Sequence, residues 1–232
     1  MRETFLETPG SDRPSRFRLL TSAVSMVVAV VVAIACGVKL IDYVAGEGVP
    51  VERSHAYFAA LVAIISFFVL SISALTGTRG TRDGPRVASA RAALALYGAA
   101  VLLTHTTLFA ITPIVVSSPP EAQTWPDTII EFVLPGYLVA EWILNPLRAR
   151  ISRSAPFIAL LFPASWVIVG TILAQTTGWR VNPALDFWGA ENILVPIAYL
   201  VAVGVSLFVI ALFLLMVNRI HYRLFPKNLF ES

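Results

Sequence analysis

The chain alternates between long apolar runs and short polar segments, and the length of the runs sets the secondary structure. Six stretches, Leu19–Tyr43, Ala56–Leu75, Ala92–Val116, Ile129–Leu147, Ala155–Leu173 and Ile193–Val217, are almost continuously apolar and run from 19 to 25 residues. A hydrocarbon core of about 30 Å takes roughly 20 helical residues, so each stretch is long enough to cross it. None alternates with a period of two, which predicts helices rather than a β-barrel. The expected fold is all-α, a polytopic bundle of six transmembrane helices over residues 19–217. Polar tails occupy residues 1–18 and 218–232, and no internal repeat divides the bundle.

Composition agrees and charge placement adds topology. Apolar residues make up 57% of the chain and charged residues 13%, about half the charged share that keeps a soluble domain wet. The net charge of +3 acquires meaning only when mapped. Fourteen basic residues fall on one side of the predicted spans: Arg2, Arg13, Arg16, Arg18, Arg79, Arg82, Arg86, Arg91, Arg148, Arg150, Arg153, Arg219, Arg223 and Lys227. Only Lys39, Arg53 and Arg180 fall on the other, so both termini are expected to be cytoplasmic. These dispersed cations carry no nucleic-acid recognition motif; anionic lipid headgroups are the expected contact. The opposite side is acidic, with Asp42, Glu47, Glu52, Glu121, Asp127, Asp186 and Glu191. Trp125, Trp179 and Trp188 sit there at interfacial positions, and Ser117-Ser118-Pro119-Pro120 is stiffened by its prolines. That face reads either as solvated loops or as a docking face.

The N-terminal arginines, Leu19–Ala35 and Cys36 share the outline of a lipoprotein signal. The apolar run continues through Gly37, Val38, Leu40 and Ile41, so the segment is read as the first span. Cys36 is the only cysteine, which excludes an internal disulfide and a thiol metal site. No metal is expected, because His55 and His221 belong to opposite membrane faces.

Ionisable groups inside spans cost several kcal/mol and call for a reason. The fourth stretch carries Glu131 near its outer end and Glu141 deeper, ten positions on, which leaves them within about 80° of each other around a helix. Pro135 removes the helical donor of the Glu131 carbonyl, so a kink is expected beside that carboxyl. Glu141 is expected either to be neutral through desolvation or to pair with a cytoplasmic-side arginine, with a structural pair preferred. His105 stands in Thr104-His105-Thr106-Thr107, either a satisfied structural histidine or a proton or ligand contact. Pro113, Pro163 and Pro196 similarly free the carbonyls of Phe109, Ala159 and Asn192. Glu131, His105, Glu141, Thr106 and Asn192 are thus the candidates for a lipid, quinone or proton site. No nucleophile elbow, phosphate loop or paired haem histidines occur.

The stretch Ile129-Ile130-Glu131-Phe132-Val133-Leu134-Pro135, followed by Glu141-Trp142, Phe162-Pro163 with Trp166, and Asn182-Pro183-Ala184-Leu185-Asp186, resembles the androgen-induced-gene family of membrane proteins. The closest likeness is to its bacterial six-span branch, with Ala56-Tyr57-Phe58-Ala59-Ala60-Leu61 in place of that family's Phe-Thr segment. Eukaryotic members hydrolyse fatty-acid esters of hydroxy fatty acids with an intramembrane threonine and histidine. Here those positions align with Ala59 and Glu131, and alanine cannot be a nucleophile. The resemblance implies the fold and a lipid-lined cavity without that chemistry.

The expectation is therefore a non-catalytic multi-pass membrane protein. It serves as an accessory subunit of a larger respiratory or envelope complex, or binds lipid or quinone between kinked helices, with no other cofactor. Membrane lipids and other membrane subunits are the expected partners. An intramembrane ester hydrolase with displaced residues, such as His105 with Thr106 or Thr107, is the alternative, and a small transporter the third reading. Fifteen arginines against two lysines suit a GC-rich genome, and the resemblance implies bacteria of actinobacterial type, hence a bacterial plasma membrane.

Overall fold

The structure, a computed structural model, describes residues 16–45, 55–78, 84–115, 124–145, 149–177 and 193–224. Asn192, residues 117–120 and 182–186 and the tails beyond 16 and 224 lie outside the described residues, as does the Thr107 side chain. All regular elements among the described residues are helical: α1 (Arg16–Val44), α2 (His55–Thr78) and α3 (Pro85–Val115) come first. They are followed by α4 (Trp125–Thr128), a π-helical turn (Ile129–Val133), α5 (Leu134–Leu144), α6 (Ala155–Ala159), α7 (Leu161–Thr177) and α8 (Leu194–Leu224).

Five of these segments are long and apolar enough to cross a membrane: Leu19–Val44, Phe58–Gly77, Pro85–Thr106, Ala155–Ile172 and Leu194–Leu224. Local propensity does not explain them. Val27-Val28-Ala29-Val30-Val31-Val32 is a poor helix former in water, yet lies in the middle of α1. In an apolar solvent every backbone N–H and C=O must be satisfied within the segment, which a helix alone achieves. α1 also runs without a break through Cys36, as a span does. Large apolar side chains stay exposed along the outer faces of α1, α7 and α8, among them Val27, Ile34, Ile172, Val201 and Val205.

α3 is the central helix, packed against α2, the π turn, α5, α6 and α8. It approaches them closely because its inward positions are small: Ala88, Ala92, Ala95, Gly98 and Ala100 are buried. A Cβ at Gly98 would stand 3.0 Å from the Pro135 carbonyl oxygen and 3.1 Å from its Cα. The α1–α2 seam repeats the device, since a Cβ at Gly77 would collide with the Ser22 hydroxyl. At the other side Trp142, fully buried, donates its indole N–H to the Leu214 carbonyl at 3.1 Å and ties α5 to α8.

Two helix ends differ from expectation. The third apolar stretch was placed from Ala92, but α3 begins at Pro85, so Arg91 belongs to the helix and is buried rather than in a loop. Pro196 was expected to disturb the interior of the last span. It occupies the first turn of α8, where a missing N–H costs nothing. Pro163 acts as expected, because α6 stops at Ala159 and the chain turns at Leu160 before α7. The Leu160 N–H reaches only three residues back, to the Phe157 carbonyl at 3.2 Å.

Gly98→Val should lower the thermal unfolding midpoint in detergent, with overpacking costing about 1–3 kcal/mol. Gly136→Ala, where nothing lies within 4 Å of the added carbon, should leave it unchanged or raise it.

Candidate functional site

The polar residues of the bundle converge on the segment that runs through α4, the π turn and α5. Its start is held by Thr124, whose N–H and hydroxyl both donate to Asp127 Oδ2, at 3.1 and 2.6 Å. Pro135 can give no N–H to the Glu131 carbonyl, and its ring crowds the turn before it. The helix answers by widening rather than breaking: the Leu134 N–H reaches five residues back to the Ile129 carbonyl. The disturbance expected at Glu131 thus takes the form of a π turn, and Glu131 sits at its centre.

Three acids along this segment meet three bases from other helices. Asp127 lies 2.5 Å from Lys39 of α1. Glu131 Oε2 lies 3.3 Å from His105 Nδ1, and Glu141 Oε1 lies 2.6 Å from Arg91, both partners belonging to α3. Arg91 also donates to the Ser73 hydroxyl at 2.5 Å, and Asn145 donates to Glu141 at 2.8 Å. Between the two carboxylates Tyr137 shares a 2.9 Å hydrogen bond with Ser25 of α1. Residue 91 opposite 141 and residue 105 opposite 131 make α3 and this segment antiparallel. Burial works against the Asp127 charge, but hydrogen bonds from Lys39 and Thr124 and the lysine's positive charge outweigh it. The carboxyl is therefore held below its ordinary 3.8.

A cavity of about 400 Å³ opens beside the middle pair, inside the range of about 300–1,000 Å³ usual for small-molecule sites. His105 and Glu131 line it, and so does Ala59. These three form the closed end, at 7%, 5% and 3% exposure. Phe58 stacks on Phe162 with centroids 5.5 Å apart and leans on Trp166 at 6.0 Å, which makes one wall aromatic. The remaining wall comes from α7 and α8, and there the lining is open: Ile168 is 60% and Leu200 38% exposed. α7 and α8 follow one another in the chain but scarcely touch. The mouth therefore lies between them, flanked by apolar side chains.

The sequence candidates separate into two groups. Glu131 and His105 come together at the cavity. Glu141 does not reach it and forms the expected arginine pair. Thr106 is exposed, and its hydroxyl donates back to the Leu102 and Leu103 carbonyls at 2.8 and 3.1 Å, so it leaves the site. Thr104, two positions earlier, lines the cavity instead, since such positions on a helix point about 160° apart. Tyr199 also contributes to the lining, and no local signal in the sequence marks it.

Removing one member of the buried Arg91–Glu141 pair, by Arg91→Ala or Glu141→Leu, should destabilise the protein by about 3–5 kcal/mol. Replacing both should cost less than the sum, as read from a double-mutant cycle of thermal unfolding in detergent.

Comparison with protein-family models, curated proteins and solved structures finds no match to this chain.

Proposed function

We propose that this protein is a non-catalytic multi-pass membrane protein that takes up a lipid-like molecule from the bilayer. The observation that carries the reading is the shape of the cavity. Its polar end is buried under His105 and Glu131, and its mouth between α7 and α8 lies within apolar lengths sized to span a bilayer. A molecule in the acyl region can enter sideways, placing a polar head on the pair and leaving its tail among lipids. A site built for water-soluble substrates would open at a helix end instead.

The same reading sets the topology. The π turn and α5 run on from α4 without interruption, and we take residues 129–147 as a sixth span with α4 at its outer end. Both termini then lie on the basic, cytoplasmic side of a bacterial plasma membrane. Pairing of Lys39 with Asp127 supports this, because the charge map had put both residues on the outer side. Docking to a larger membrane assembly as an accessory subunit belongs to the same proposal. The acidic outer segments are the face we assign to it.

A second reading, an ester hydrolase with rearranged residues, draws on one observation. Ala59, His105 and Glu131 share a cavity, so the positions of the family's nucleophile and histidine are neighbours here too. Ala59 supplies no hydroxyl, which is why binding is preferred over turnover.

Native mass spectrometry from mild detergent should show the protein carrying a small amphiphile, with occupancy reduced severalfold by Ala164→Trp at the mouth. Protein that emerges empty overturns the binding reading. Turnover of long-chain esters by the same preparation, abolished by His105→Ala, would replace it with the hydrolase. Partner subunits, if docked, appear in the same spectra.

For the topology, single cysteines are placed at Ser117 and Ser232 in a Cys36→Ser background. A membrane-impermeant maleimide applied to intact cells should label Ser117→Cys and not Ser232→Cys. Labelling of Ser232→Cys would remove the sixth span.

A further inference from the structure

Resting on the lateral-entry reading, the geometry points to the class of molecule that fills the site: we propose a quinone-class ligand, a neutral flat ring with carbonyl acceptors on an isoprenoid or alkyl tail.

The first argument is charge. A net charge at the closed end of an apolar cavity is costly, so the pair His105–Glu131 is held net neutral. Three arrangements achieve this. In one, a protonated Glu131 donates to Nδ1 and the neutral imidazole keeps its proton on Nε2. In another, a carboxylate faces an imidazolium protonated on both nitrogens. In the third, Nδ1–H donates to a protonated Glu131 and Nε2 is a bare acceptor. The first two make the pair a hydrogen-bond donor toward a neutral acceptor, and they are the ones we assign to the site. A carbonyl oxygen suits that donor. A fatty-acid carboxylate would give this neutral, desolvated site a net negative charge, which is costly away from water.

The second argument is shape. Phe58 and Trp166 line the cavity and present ring faces and edges, with Tyr199 on the α8 side. Aromatic walls favour a flat ring through offset or edge-to-face contact, a gain that a branched glycerol ester does not collect. The third is the opening. The mouth between α7 and α8 is wide at Gly204, where nothing lies within 4 Å of an added Cβ, so a tail can trail into the bilayer while the ring is enclosed.

The test uses the full chain in phosphatidylcholine nanodiscs, with menaquinone-4 and ubiquinone-2 as probes and oleate and a long-chain wax ester as comparators. Saturable binding of at least one quinone is expected. His105→Leu removes the head contact and should weaken it at least tenfold. Gly204→Phe, which blocks the mouth at an open position without touching the polar pair, should do the same and guards against misfolding of the first variant. Quinone binding unchanged in both variants overturns the site. Saturable oleate or wax-ester binding with none for either quinone overturns the ligand class and leaves the lateral-entry reading standing. No saturable binding of any probe overturns both.

Discussion

Three carboxyl groups on one packed helical segment have few ways to be accommodated, and the bundle is organised around the one they take. Asp127, Glu131 and Glu141 are each met by a basic side chain from another helix, Lys39, His105 and Arg91. Leaving any one unmet would cost several kcal/mol, comparable with the net stability of a domain. The pairs therefore act as register pins. Two of them lock α3 antiparallel to the segment, and the third attaches α1 near the outer end. The small residues of α3 then become necessary. Gly98 must let the Pro135 backbone approach, because a wider gap would pull Arg91 and His105 out of reach.

The cavity follows from the same restraints together with the prolines. Pro135 widens the helix into a π turn at Glu131, and an extra residue in a turn turns that side chain toward α3. Such local widenings recur at functional sites for this reason. Pro163 interrupts the helix after Ala159, and α7 then runs with little contact to α8. One side of the bundle is tightly packed through small residues, while the other is parted, so space remains between them. The polar pair closes that space at the packed side, and it opens at the parted side.

Much of the architecture could be read from the linear pattern, because hydrocarbon admits a single local solution for the backbone. The apolar runs marked six stretches, of which five are helices of matching length, and the charges inside the fourth stretch marked the segment where the pairs form. Glu141 was expected to meet an arginine, and Arg91 does so. Less legible were helix ends. Arg91 reads as loop material until its partner is known, since only a carboxylate across the interface makes its burial tolerable. Thr106 and Thr104 are indistinguishable in a run of four polar residues. The helix phase, fixed by packing, turns one into the cavity and the other outward.

The sequence by itself determined the helical character, the span lengths and the identity of the costly residues, because each follows from how one residue is solvated. Only the tertiary structure decided that Glu131 meets His105, that Ala59 lies beside them, and that α7 and α8 part to leave a mouth. Those facts depend on distances between residues far apart in the chain, where partner choice is set by the joint packing of several helices. No local pattern encodes that choice.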